Sequence, residues 1–168
     1  MSRSMFDDLD VARSASLDAA DAKTLRLSAH PFSEDDLEAV IRYQETFLAH
    51  AERPTVGHDA IAAAHQLGLR ASGLKDVKTV EWVNALLRAY CGQRWTARKL
   101  RSRLAELEKQ ADAASIEKAR RTRDELRRIE DLEPLARRHG QEAIDLLNRH
   151  EDRLVDLHTR MQKALNRA

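Results

Sequence analysis

The sequence is poor in residues that turn or cross-link a chain. Its 168 residues include five glycines, three prolines and one cysteine, Cys91. The glycines are scattered singly, so no phosphate-cradling loop, dinucleotide fingerprint or Gly-x-Ser-x-Gly elbow is spelled out. A lone cysteine rules out an intramolecular disulfide and fits a reducing compartment. No stretch approaches the roughly 20 apolar residues that a membrane helix needs. The opening residues, Met1 to Asp10, lack the apolar run of a signal peptide. The expected location is therefore the cytoplasm, with no membrane partner.

What remains is charge and helix formers. Charged residues make up 34% of the chain and aromatics 4%, a balance that suits long exposed helices better than one compact globule. Ala, Leu, Arg and Glu, all strong helix formers, dominate. The net charge is only +1 but unevenly spread. Residues 1–55 carry 6 basic and 11 acidic side chains, residues 56–103 carry 9 and 3, and residues 104–168 carry 14 of each. An acidic head beside a basic middle suggests elements that pack together, or a basic surface awaiting an acidic partner.

Residues 1–32 read as a loosely held N-terminal arm, with Met5, Phe6, Leu9 and Ala12 able to share one side of a short helix. Ser33 and Asp36 have capping-box spacing, and Leu37, Val40, Ile41, Phe47, Leu48 and Ala51 form an apolar stripe, so a helix is expected over 33–53, stopped by Pro54. Thr55 is placed to cap a shorter helix over 57–67. Gly68 and Gly73 should bracket a loop or a brief helical turn, and Asp76 should cap the next helix.

From there the pattern becomes regular. Val83, Leu86, Tyr90, Gln93, Ala97, Leu100, Leu104, Leu107, Ala111 and Ala114 alternate spacings of three and four, which is a heptad seam. A second seam runs from Ala119 through Thr122, Leu126, Ile129, Ala136, Ala143, Leu147 and Leu154 to Ala164. A turn near Ser115, expected as its N-cap, would pair the seams antiparallel, with Leu104 against Leu126 and Leu100 against Ile129. The competing arrangement is one continuous helix from 76 to 133 that buries its seam in a dimer. The expected fold is all-α: a small bundle of about four helices carrying a long antiparallel coiled-coil hairpin. The bundle base spans 33–97 and 129–168. The projecting tip spans 98–128, where the apolar stripe narrows to the seam alone.

The motifs are few. His58 and His65 are seven apart, and His150 and His158 eight apart, whereas helical metal sites favour ligands three or four apart. No metal and no cofactor is expected. His65-Gln66-Leu67-Gly68 resembles the histidine-phosphotransfer signature, but Gly68 comes one residue early and the lysine is missing. Cys91 lies in an apolar run and reads as a packed thiol. Residues 60–77 resemble a helix-turn-helix, with Ala64 as the small packing residue, Gly68 as the turn, and Leu74 and Val77 as apolar anchors. That resemblance implies that Arg70, Ser72, Lys75 and Lys78 face DNA. An Ala-rich core helix followed by a loop explains the same residues.

The leading expectation is a non-enzymatic adaptor or assembly factor that binds another protein through the charged hairpin. Its candidate contact residues are Trp95, Arg98 and Arg101 in the basic stretch and Asp112 and Glu117 at the tip. Factors that probe the RNA polymerase channel carry acidic coiled-coil tips, and the expected shape is distantly similar to theirs in architecture alone. The alternative is a DNA-binding regulator that reads through 57–78 and dimerises through the coiled coil.

Overall fold

The computed structural model describes residues 32–53, 58–74 and 77–167. The expected arm over 1–32, the Pro54 stop, the Thr55 and Asp76 caps and Lys75 thus lie outside the described residues, apart from Phe32. All regular structure among the described residues is helical. The elements are α1 (Glu34–Ala51), α2 (His58–Ser72), α3 (Val77–Glu108), α4 (Ala113–Glu130), α5 (Glu133–His139), α6 (Gln141–Arg149) and α7 (Glu151–Arg167).

Helix α1 starts where the capping box places it. The Asp36 amide donates to Ser33 Oγ at 3.2 Å, and the Ser33 amide donates back to Asp36 Oδ2 at 3.1 Å. Two otherwise orphaned amides are satisfied at once, and Glu34 and Asp35 add charge favoured by the helix dipole. The stripe of Leu37, Val40, Ile41, Phe47 and Leu48 is buried.

Helix α2 corrects the sequence reading. It continues through Gly68 to Ser72, so the turn that a helix-turn-helix needs at Gly68 is not made. The glycine serves close packing instead. A Cβ there would lie 2.7 Å from Tyr43 Cδ2 and 2.9 Å from the Tyr43 carbonyl oxygen. Ala64, Gly68 and Ser72, four apart, are all buried and form the small-residue face set against α1. The helix ends at Gly73, whose φ of +71° costs glycine little.

Helices α3 and α4 run side by side in opposite directions. The continuous rod is not formed, because residues 109–112 break the helix. Asp112, rather than Ser115, is the N-cap of α4: its Oδ1 accepts from the Ser115 amide at 2.9 Å. Arg101 pairs with Glu130, and Arg123 with Glu108 at 2.7 Å, so both bridges tie one helix to the other. The numbers in each pair sum to 231. Helix α4 packs on α3, and its buried residues are small: Ser115, Ala119 and Thr122. At the junction Gln93 Nε2 donates to the carbonyls of Ile129 (2.6 Å) and Asp131 (2.8 Å), satisfying the C-terminal end of α4.

Beyond Glu130 the chain makes three short helices where one arm was expected, so about four helices is an undercount. Pro134 lacks an amide donor and sits at the start of α5, which stops α4 from running on. Gly140, with φ +92°, caps α5 and opens α6, and His150 separates α6 from α7. The seam spacing survives these breaks because each new helix still turns Ala143, Leu147, Leu154, Leu157 and Ala164 inward. They join α1 and the first half of α3, through Val83, Leu86, Leu87, Tyr90 and Cys91, in one core. Glu45–Arg153 and Glu52–Arg160 bind α1 to α7 at a constant offset of 108 residues, so the two helices run parallel.

Candidate functional site

The five residues singled out for partner binding fall into two places along α3 and α4. Trp95, Arg98 and Arg101 lie on α3 near the base. Asp112 and Glu117 lie at the tip, beyond the end of α3, about 20 Å further along at 1.5 Å per residue.

At the tip both carboxylates are engaged within the chain. Asp112 caps α4, and the Ser115 hydroxyl lies 2.7 Å from both Asp112 Oδ2 and Gln110 Oε1, its single proton serving one of them at a time. The bonds from the Ser115 hydroxyl and amide hold the Asp112 carboxyl below its usual range. Glu117 accepts from Arg120 at 2.9 Å and Arg121 at 3.0 Å, which push its carboxyl down to about 2. Neither acid is a free charge waiting for a partner. The side chain left standing out is one not singled out beforehand: Ile116 is 60% exposed, flanked by the exposed Ala113 and Ala114. Its signal in the sequence is an isoleucine off the seam, in a helix whose other off-seam positions are polar or alanine.

On α3 the arginines have structural work. Arg98 pairs with Glu151 at 3.2 Å and also with Asp152, fastening α3 to α7. Arg101 fastens α3 to α4 through Glu130. Trp95 is different. It is 37% exposed, and Lys99 Nζ lies 3.9 Å from the centre of its ring, a cation–π contact. Arg88 and Arg103 share this outward side at spacings of seven and eight from Trp95, and both are exposed with no ion pair among the described residues. Gly92 lies there too, and a Cβ on it would meet nothing within 4 Å. A glycine inside a helix costs about 1 kcal/mol relative to alanine. No other part of the described chain uses the space that this one leaves open.

Of the four DNA-facing candidates, only Arg70 and Ser72 have described side chains. Ser72 is buried, its hydroxyl donating to the Leu69 carbonyl at 2.7 Å and accepting from the Leu74 amide at 3.1 Å. Arg70 is exposed, Lys75 lies outside the described residues, and Lys78 is described only as part of the α3 backbone.

The buried titratable groups are held neutral. Burial, helped by the nearby Glu151, pushes the Cys91 thiol up to about 12, far from a nucleophilic thiolate at neutral pH. Burial also lowers the pKa of His139 and His158, with Arg138 and Arg88 adding to the effect. His65 is engaged with Tyr43, sharing a 2.7 Å hydrogen bond through Nδ1. Among the described residues no three His, Cys, Asp or Glu side chains converge as a metal site would require, and no helix is long and apolar enough to cross a membrane. No family model matches the chain, and neither a curated protein nor a solved structure does.

Proposed function

We propose that this chain is a non-enzymatic binding protein, an adaptor or assembly factor, that presents α3 and α4 as an antiparallel coiled-coil hairpin and engages another protein with its tip. The observation that carries this reading is the state of Ile116. Its backbone is fixed, since its amide donates to the Asp112 carbonyl at 3.1 Å within a capped first turn, yet its side chain is 60% exposed. An ordered apolar side chain on a pre-formed turn can bind with little further loss of conformational freedom.

The surrounding charges support the same reading. Glu117 is held by Arg120 and Arg121, Glu106 by Lys109, and Glu108 by Arg123. Such a polar rim around an apolar centre resembles the anatomy of a small interface.

The test is site-directed crosslinking in the source cell. A photoreactive amino acid at position 116 is expected to give a discrete protein adduct, and one at the exposed Lys163 to give none. The adduct should fall several-fold when Asp112→Ala frees the tip. Equal labelling from both positions, or none from 116, would refute the reading.

A further inference from the structure

The side of α3 that carries Trp95 is exposed at Trp95, Lys99 and Arg103 and borders α7 at Arg88, whose charge lowers the His158 pKa, and its chemistry is unlike that of the tip. Arg88, Gly92, Trp95, Lys99 and Arg103 recur at spacings of three and four, which puts them on one side of the helix. The stripe spans about 22 Å at 1.5 Å per residue. Across the neighbouring interfaces of this molecule, arginines meet carboxylates on a facing helix, as Arg98 does on α7, Arg101 on α4 and Arg153 on α1. Arg88, Lys99 and Arg103 are cations of the same helix with no facing carboxylate among the described residues. Between them lie an indole with exposed surface and an open notch at Gly92.

We infer that this stripe is a docking site for an acidic amphipathic helix of a partner protein, separate from the arm tip. The geometry is that of the chain's own helix pairs with one member missing. Carboxylates about one turn apart on the incoming helix would meet Lys99 and Arg103, and one about three turns further along would meet Arg88. An apolar residue between them would enter the notch at Gly92 and lie along the edge of Trp95. Nucleic acid fits less well. Base stacking needs an open aromatic face, and Lys99 Nζ already sits 3.9 Å over one face of the only tryptophan on this side. A shallow hollow beside Trp95, bounded by Arg98, Lys99, Ser102 and Arg103, offers further cationic rim.

The probe is a fluorescein-labelled, N-acetylated 18-residue helical peptide of Leu, Ala and Glu, with Leu at spacings of three and four and Glu on either side. Its binding to the full chain is read by anisotropy. Micromolar binding is expected, weakening about tenfold between 0.1 and 0.5 M salt, as screening of exposed charges requires. Lys99→Ala/Arg103→Ala should weaken it at least fivefold. Gly92→Leu is the informative single variant. It should raise the melting temperature, because leucine is the better helix former and the space is open, yet weaken the peptide at least fivefold by filling the notch. Ile116→Ala should leave binding unchanged, so this site and the arm tip can fail independently. The inference is overturned if the peptide does not bind, or if Gly92→Leu and the double variant bind as the parent does. It is overturned too if an 18-nucleotide oligo(dT) binds more tightly than the peptide.

Discussion

Two parts of this molecule are stabilised in different ways: the packed cluster of α1, α6, α7 and the first half of α3, called the base, and the paired stretch of α3 and α4 from Leu104 to Ile129, called the arm. In the base, α1, α6, α7 and the first half of α3 bury large apolar side chains completely: Leu37, Ile41, Leu86, Tyr90, Ile144, Leu147 and Leu154 are all under 2% exposed. In the arm, Leu104, Leu107, Leu126 and Ile129 are only half-buried, and the fully buried residues of α4 are Ser115, Ala119 and Thr122. The arm substitutes caps and ion pairs for volume. Exposed pairs each contribute little, about 0.2–1 kcal/mol, so an arm built this way is the weaker part. Much of its surface is exposed among the described residues.

The largest expected effect should fall on the base. Leu147→Ala removes a fully buried side chain and should cost about 2–5 kcal/mol, read as a lower denaturant midpoint for the whole chain. A cost under 1 kcal/mol would mean the base is not the close-packed half. The two helical glycines sharpen the comparison next. Gly68→Ala drives a Cβ to 2.7 Å from the Tyr43 ring and should destabilise by about 1–3 kcal/mol, less the helix propensity gained. Gly92→Ala meets nothing and should stabilise by about 0.5–1 kcal/mol. Opposite signs in thermal melts are the expected outcome.

At the arm, Asp112→Ala removes the α4 cap and should cost about 1 kcal/mol. The loss should be confined to amides near 109–120, and hydrogen exchange would detect it.

Acid should separate the halves by order. His139 and His158 have folded pKa values below the ordinary histidine value, so they favour the folded base when neutral. That contribution is fully present above about 6.5 and is lost as pH falls below it. Asp112 and Glu117 are depressed carboxylates, so their contribution holds above the ordinary carboxylate range and is lost only as pH falls below about 4.5, towards about 2 for Glu117. Between pH 6 and 5, protection factors, which remove the intrinsic pH dependence of exchange, should fall at the base and stay unchanged at the tip. The reverse order would contradict the assignment.

Much of this division is legible in the sequence because it follows from periodicity and caps. The Ser33–Asp36 box and the α1 stripe are local signals, and the structure reproduces them. The seam residues of α3 are local signals too: Val83, Leu86, Tyr90, Ala97 and Leu100 are buried, while Leu104 and Leu107 further along are half-buried. What was not legible depends on partners far away in sequence. Gly68 reads as a turn until Tyr43, 25 residues earlier, is seen against it. Ser115 reads as a cap, but Asp112 takes that role because its carboxylate reaches the Ser115 amide three residues on, as a hydroxyl would from the same place. The breaks at Gly140 and His150 are invisible to a spacing rule, because a helix can stop and restart without losing phase. At the candidate site, residue type points to Trp95, which is 37% exposed. It points equally to Asp112 and Glu117, and only the structure shows their charges engaged by Ser115, Arg120 and Arg121. Ile116 lies off the seam, so the heptad pattern does not mark it.

The arm is expected to be a separately stabilised element with a pre-formed tip. Leu104→Asp tests this most directly, since it puts a charge at a half-buried position where α3 meets α4 and touches no residue of the base core. Residue-resolved hydrogen exchange is expected to show lost protection over 101–108 and 113–126, with protection at 37–48, 83–91 and 143–157 kept. Uniform loss across both halves would mean that base and arm are one cooperative unit, and that the arm is not the independent hairpin described above.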